Sequence, residues 1–194
     1  MKKSFIVYIA VLLVSIQSCD VLQQAQQVGN LINCTFNLKT VEGLNLAGVN
    51  VQNIQSMNTL NVMDAAQLTS ALLGNSLPLT FTLNVDAKNP NSTPAGMSQL
   101  DWILMIDDIE MTHGLLNKKI TIPANNGKTT IPIQMSIDLK KAIKNQSGNA
   151  LLNFAMNLAG AGNKPTRFAL KVKPTISVNG YSLSYPAYLT IKAQ

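Results

Sequence analysis

Acid–base or metal chemistry needs titratable side chains that can converge, and this chain offers few: one histidine, two cysteines and nine acidic residues among 194. His113 stands directly before Gly114. A catalytic or zinc-binding imidazole needs an orienting partner or a second ligand. With one histidine there is no two-histidine zinc site and no histidine pair, so His113 reads as an exposed turn residue at a strand end. Asp101, Asp107, Asp108 and Glu110 form the densest acidic group. Clustered carboxylates can hold calcium, and paired ones can hydrolyse glycosides. Adjacent strand residues point to opposite faces, so these four read as surface acids. No Gly-x-Ser-x-Gly, His-Glu-x-x-His, Walker or Gly-x-Gly-x-x-Gly pattern occurs. The reading is a non-enzyme with no metal and no cofactor.

The cysteines suggest different chemistry. Met1-Lys2-Lys3-Ser4 precedes an apolar run from Phe5 to Ile16, which is shorter than the roughly 20 residues a spanning helix needs. A basic start, a short apolar stretch and a small residue at the cut make residues 1–18 a secretory signal peptide. Ile16-Gln17-Ser18-Cys19 resembles a bacterial lipobox of the loose Bacteroidetes type, which implies cleavage before Cys19 and acylation of its thiol. Residues 19–30, with Gln23-Gln24-Ala25-Gln26-Gln27, have the polar composition of a tether. The expected address is the bacterial cell envelope, anchored through Cys19, at the outer membrane on its periplasmic or surface side. Acylation would leave Cys34 unpaired, as a small buried residue at the start of a strand.

The rest, residues 31–194, has the composition of one packed domain, since the chain is 46% hydrophobic and only 12% charged. The formal charge of +6 falls by two when Lys2 and Lys3 leave with the signal. The remaining basic residues form no long run, which argues against nucleic acid as partner, while a lysine face resting on anionic lipid stays open.

Period two dominates beyond residue 30. Leu77, Leu79, Phe81, Leu83, Val85 and Ala87 alternate with Pro78, Thr80, Thr82, Asn84, Asp86 and Lys88. Similar patterns predict strands over Leu100–Asp107, Ile120–Ile122 and Ile131–Leu139, with Pro123-Ala124-Asn125-Asn126-Gly127 joining the last two as neighbours. Further strands are expected over Cys34–Lys39, Gly43–Asn53, Phe168–Val178 and Tyr181–Ile191, with Asn179-Gly180 as a two-residue hairpin turn. Asp64–Leu73 reads as a short capped helix and Lys140–Ala159 as a longer, interrupted one. Trp102 alternates with Leu100 and Leu104, so it belongs to the core. About seven strands with one or two inserted helices, in no strand-helix alternation, predict a mainly β, immunoglobulin- or fibronectin-III-like antiparallel β-sandwich.

Three signals occur in order: an alternating strand ending in Asn89-Pro90-Asn91, then Ile122-Pro123-Ala124-Asn125-Asn126-Gly127, then Ile131-Pro132-Ile133. Together they resemble the late embryogenesis abundant (LEA) type 2 family, or WHy domain, over about residues 77–140. The resemblance implies a sandwich without a catalytic centre, in a stress-related family found among bacterial envelope lipoproteins. It also places Asp107-Asp108 at the family's hairpin turn, where the family usually has Asp-Gly. Independently of it, Asn89 before Pro90 is held extended and can bond nearby backbone, so Asn89, Pro90 and Asn91 take a structural role. The expected function is a non-enzymatic, lipid-anchored structural, stress-related or protein-interaction module, with the membrane and an envelope protein as partners. The alternative is an extracytoplasmic module binding glycan or another small ligand, using Asn91, Ser92, Thr93, Asn125 and Asn126. The Asn-x-Ser/Thr triplets at Asn33, Asn91 and Asn145 carry no meaning for a bacterial lipoprotein.

Overall fold

A computed structural model describes residues 29–52, 60–106, 108–143, 154–155, 167–178 and 181–192. The expected signal peptide, Cys19, Asp107, the Asn145 triplet, the Asn179-Gly180 turn and most of the Lys140–Ala159 helix lie outside the described residues.

The strands are β1 (Thr35–Leu46), β2 (Val49–Asn50), β3 (Pro78–Asn89), β4 (Ala95–Met97), β5 (Gln99–Ile106), β6 (Ile109–Leu116), β7 (Ile120–Ile122), β8 (Gly127–Asp138), β9 (Phe168–Val178), β10 (Tyr181–Ser184) and β11 (Leu189–Lys192). Among the described residues α1 (Val62–Leu73) and α2 (Leu139–Ala142) join them, and residues 29–32 and 154–155 are also helical. One sheet has the order β2-β1-β3-β8, and the other β10-β9-β5-β6 with β11 also on β9. A small β4-β7 pair sits apart from both, and every pairing is antiparallel. This is the antiparallel β-sandwich expected.

The inward residues of β3, Leu79, Phe81, Leu83, Val85 and Ala87, face a core shared with Leu100, Trp102, Leu104 and Ile106 of β5 and Ile131, Ile133, Met135 and Ile137 of β8. Each large apolar side chain so buried stabilises the fold by about 1.5–3 kcal/mol. Thr112 Oγ1 donates to Ser136 O at 3.1 Å, linking β6 to β8 along one side of the sandwich.

Several expected elements differ. The two strands expected over residues 34–53 are one long β1 with register shifts after Leu38 and Glu42, followed by a turn at Ala47-Gly48 into β2. Each shift carries an extra residue, which breaks the period-two signal. Gly43 (φ 65°) lies within the second. Strand β6 was not expected, and His113 is in it, exposed, rather than in a turn. β7 and β8 are not paired with each other, because β7 pairs with β4 instead. The single strand expected over Tyr181–Ile191 is split into β10 and β11, both on β9. The split contains Pro186 and faces Pro174, neither of which has an N–H to give a ladder, and there Tyr185 N donates to Pro174 O at 2.9 Å.

Helix α1 begins at Asn61, whose side chain accepts from Asp64 N at 2.8 Å, one turn earlier than the capping Asp64 that the sequence suggested. Gln67 Nε2 donates to Ala47 O at 2.8 Å and ties α1 to the β1–β2 turn. Asp138 starts α2 and accepts from Leu77 N at 3.1 Å and Ser76 Oγ at 2.9 Å, with Lys141 Nζ 3.5 Å away. Burial opposes its charge, but these donors together with Lys140 N outweigh that cost and hold the carboxyl below its ordinary value of 3.8.

Candidate functional site

Residues 89–93 and 125–126 meet at one pole of the sandwich, where β3 ends, β8 begins and β1 begins. Asn89 is the centre, with 0% of its surface exposed. Its carboxamide nitrogen donates to Thr93 O at 2.9 Å and to Ile122 O at 3.2 Å. Its Oδ1 accepts from Asn91 N at 3.0 Å, the Asx turn that an asparagine two residues upstream can close, and from Asn91 Nδ2 at 2.6 Å. Its backbone carbonyl accepts from Asn126 N at 2.8 Å, and Asn91 O accepts from Asn125 N at 2.8 Å. Asn125 (φ 56°) and Asn126 (φ 65°) adopt the left-handed conformation that asparagine tolerates better than most residues. Asn89 and Asn91 are thus bonded to each other and to nearby backbone, and Pro90 is exposed.

The sequence did not suggest Asn30 and Asn33 as participants. Asn30 Nδ2 donates to Thr93 Oγ1 at 2.6 Å and Pro94 O at 3.1 Å, while Asn30 O accepts from Asn91 Nδ2 at 2.8 Å. Asn33 Nδ2 donates to Asn91 Oδ1 at 3.1 Å. Asn30, the last residue of the expected tether, is thus bonded onto the pole. In a polar, Gln- and Asn-rich stretch nothing distinguished these two asparagines. Of the ligand surface considered above, the structure gathers all five residues at this pole, but the polar groups of Asn91 and Thr93 are turned into the knot. Ser92, Thr93, Asn125 and Asn126 are exposed.

The remaining candidates do not converge. His113 Nδ1 lies 3.1 Å from Glu110 Oε1, and both are exposed. Asp108 (φ 66°) sits in a turn and pairs with Arg167 Nη2 at 3.2 Å. Asp101 is opposite Lys173 across β5 and β9. Among the described residues no group of three or more His, Cys, Asp or Glu side chains is placed to hold a metal ion. Cys34 is buried just before β1, its Sγ donating to Asn30 O at 3.4 Å, and burial pushes its thiol up from the ordinary value. Trp102 is buried over Gly114, where a Cβ would fall on the indole ring.

No protein-family profile matches the sequence, and no curated protein matches it by sequence. Solved structures similar to it include a protein from Archaeoglobus fulgidus, with 13% identity, 81% of this chain and 94% of that one covered, and a TM-score of 0.35. Another is a solution structure described as a late embryogenesis abundant protein, with 12% identity, coverage of 97% and 87%, and a TM-score of 0.37. A third, from Arabidopsis thaliana, has 13% identity, coverage of 81% and 80%, and a TM-score of 0.34.

Proposed function

We propose that this chain is a non-enzymatic envelope protein, held by a lipid on Cys19, whose sandwich is a LEA type 2-like module for structural, stress-related or protein-interaction work. The observation that carries the reading is the use of the Asn89-Pro90-Asn91 motif. Its carboxamides are committed to backbone and to Asn30 and Asn33, so the motif makes a rigid pole that grips the incoming chain. The same residues leave little polar surface for a glycan, which puts the ligand-binding alternative second. The dispersed positions of His113, Asp101 and Asp108 support a role without catalysis, and the function needs no cofactor. The partners are the membrane, through the lipid, and an envelope protein.

Cys19→Ser tests the anchor by membrane fractionation and by the mass of the mature protein. The expected result is loss of acylation and release from the membrane, and a variant that stays as membrane-bound as wild type refutes it. Crosslinking in intact cells followed by mass spectrometry tests the interaction role. A recurrent envelope protein supports the module, whereas recovered glycan transfers the assignment to the alternative.

A further inference from the structure

The pole that grips the incoming chain also differs from the opposite one in charge. Lys88 and Lys128 are exposed and face each other directly across β3 and β8. Like charges in that position repel. Lys118 and Lys119, also exposed, follow Asn117, which accepts from Gln99 Nε2 at 3.2 Å. That contact brings them to the end of the second sheet where Ser98 N donates to Thr175 O at 2.8 Å. Among the described residues no carboxylate forms an ion pair with any of these four lysines. Asp86, the nearby acid on β3, binds Lys39 at 3.2 Å and Thr130 at 2.6 Å and offsets part of the Lys128 charge through space, without contact. The acids Asp64, Asp108 and Asp138 lie toward the opposite pole, beside α1, the β5–β6 turn and α2.

Apolar surface is exposed at this end, as it also is on α1 at the opposite pole, where Val62, Met63 and Leu73 are exposed. Ile32 is 58% exposed, Leu183 57% and Tyr181 77%. Tyr181 and Leu183 alternate on the β10 face that Ile176 shares, and an apolar groove runs between Ile32, Leu183, Tyr185 and Leu189. The wall of that groove, Leu31-Ile32, belongs to the helical turn, residues 29–32, at which the described chain begins. Ten residue steps separate Gly29 from Cys19, so a fully extended connection reaches at most about 35 Å.

We propose that this pole is a membrane-docking surface: Ile32, Leu183 and Tyr181 enter the interface while Lys88, Lys118, Lys119 and Lys128 meet the phosphates of anionic lipid. The proposal rests on the lipid anchor for its orientation. Interfacial binding scales with buried apolar area and with attraction to anionic headgroups, and this pole supplies both within reach of the acylated residue. A charged surface resting on a bilayer also relieves the Lys88–Lys128 repulsion.

The test uses the full mature protein purified from membranes and reconstituted in vesicles of phosphatidylcholine, with or without phosphatidylglycerol. A fluorophore is attached at Leu183→Cys, or at Ala66→Cys on α1 for the opposite pole. Buried Cys34 and acylated Cys19 leave each label specific. A headgroup nitroxide lipid is expected to quench the Leu183→Cys label in phosphatidylglycerol vesicles and spare the Ala66→Cys label. Adding Lys118→Glu and Lys119→Glu, or high salt, should lower the first signal to the level of the second. Equal quenching at both poles, or quenching indifferent to charge, overturns the proposal. So does a Leu183→Cys label shielded from aqueous quencher before vesicles are added, which would mean the chain's own residues before Gly29 cover the groove. The mass of the purified chain reads the anchor separately, and if Cys19 carries no lipid, cosedimentation with the same vesicles still decides the surface.

Discussion

Replacing Asn89 by alanine removes the centre of the polar knot, and the cost follows from the groups it leaves behind. The bond to Ile122 O is fully buried, so losing its donor costs about 1–3 kcal/mol. The bonds to Thr93 O and from Asn91 N are partly buried, and water can replace them in part, so about 0.5–1.5 kcal/mol each is expected. Together these give about 2–6 kcal/mol, a large share of the roughly 5–15 kcal/mol that usually holds a domain folded. For a chain of this size the thermal midpoint should fall by roughly 4–24 °C. Urea unfolding followed by the fluorescence of Trp102, the sole tryptophan and only 7% exposed, measures it directly. The midpoint should move with little change in slope. Asn89→Asp sharpens the test, because a carboxylate would face two carbonyls where the carboxamide donated. Burial and those carbonyls raise the folded-state pKa of the new acid above its ordinary value near 3.9. Between those values the native state holds the extra proton, so the variant loses about 1.4 kcal/mol per pH unit relative to wild type as pH rises. A loss under about 1 kcal/mol for Asn89→Ala, set against the summed cost above, refutes the keystone role.

Three further outcomes follow from the same structure. Gly114→Ala places a methyl on the Trp102 ring and should cost about 1–3 kcal/mol with a shifted emission maximum; an unchanged spectrum and midpoint would contradict the contact. Asp138→Ala removes the cap of α2 and the acceptor for Leu77 N, for about 1–3 kcal/mol at neutral pH. Because the folded Asp138 carboxyl lies below 3.8, its charge-linked contribution is present above that value and is lost as pH falls through the lower folded one. The gap in urea midpoint between wild type and variant should therefore narrow on acidification, and a constant gap contradicts this. Cys34, buried and pushed up, should react with a thiol reagent orders of magnitude more slowly in the native than in the urea-unfolded protein, measured with Cys19 blocked.

What could be read in the sequence is what burial writes into it. β3, β5 and β8 are each covered on one face only, so their alternation was plain. β6 was hidden because Ile109 and Leu115 are exposed while Gly114 makes room for Trp102, and its pattern has no clean period. The joins of β1 were hidden by its two extra residues, whereas the break between β10 and β11 was marked in the sequence by Pro186. Asn89-Pro90-Asn91 was legible as a turn because its chemistry is local. Asn30 and Asn33 act 58 to 64 residues along the chain, on Asn91, Thr93 and Pro94, and a polar side chain does not announce a distant partner. The cationic pole was invisible for the same reason, since its lysines are scattered in sequence and come together only through the pairing of β3 with β8 and the approach of Asn117 to Gln99.

The antiparallel register of β1 against β3 also gives the domain a direction in which it resists mechanical load. Tension applied ahead of Gly29 first meets the Asn30 and Asn33 contacts, then acts along the axis of β1 from its leading end. Ladder hydrogen bonds run across the strands, so those from Thr35↔Lys88 to Leu46↔Leu79 are strained together in shear, and no single bond can yield first. A pull on β10, joined to β9 through only Tyr181↔Val178 to Ser184↔Thr175, would instead peel its bonds in succession. A pull on β1 therefore meets more resistance than a pull on β10.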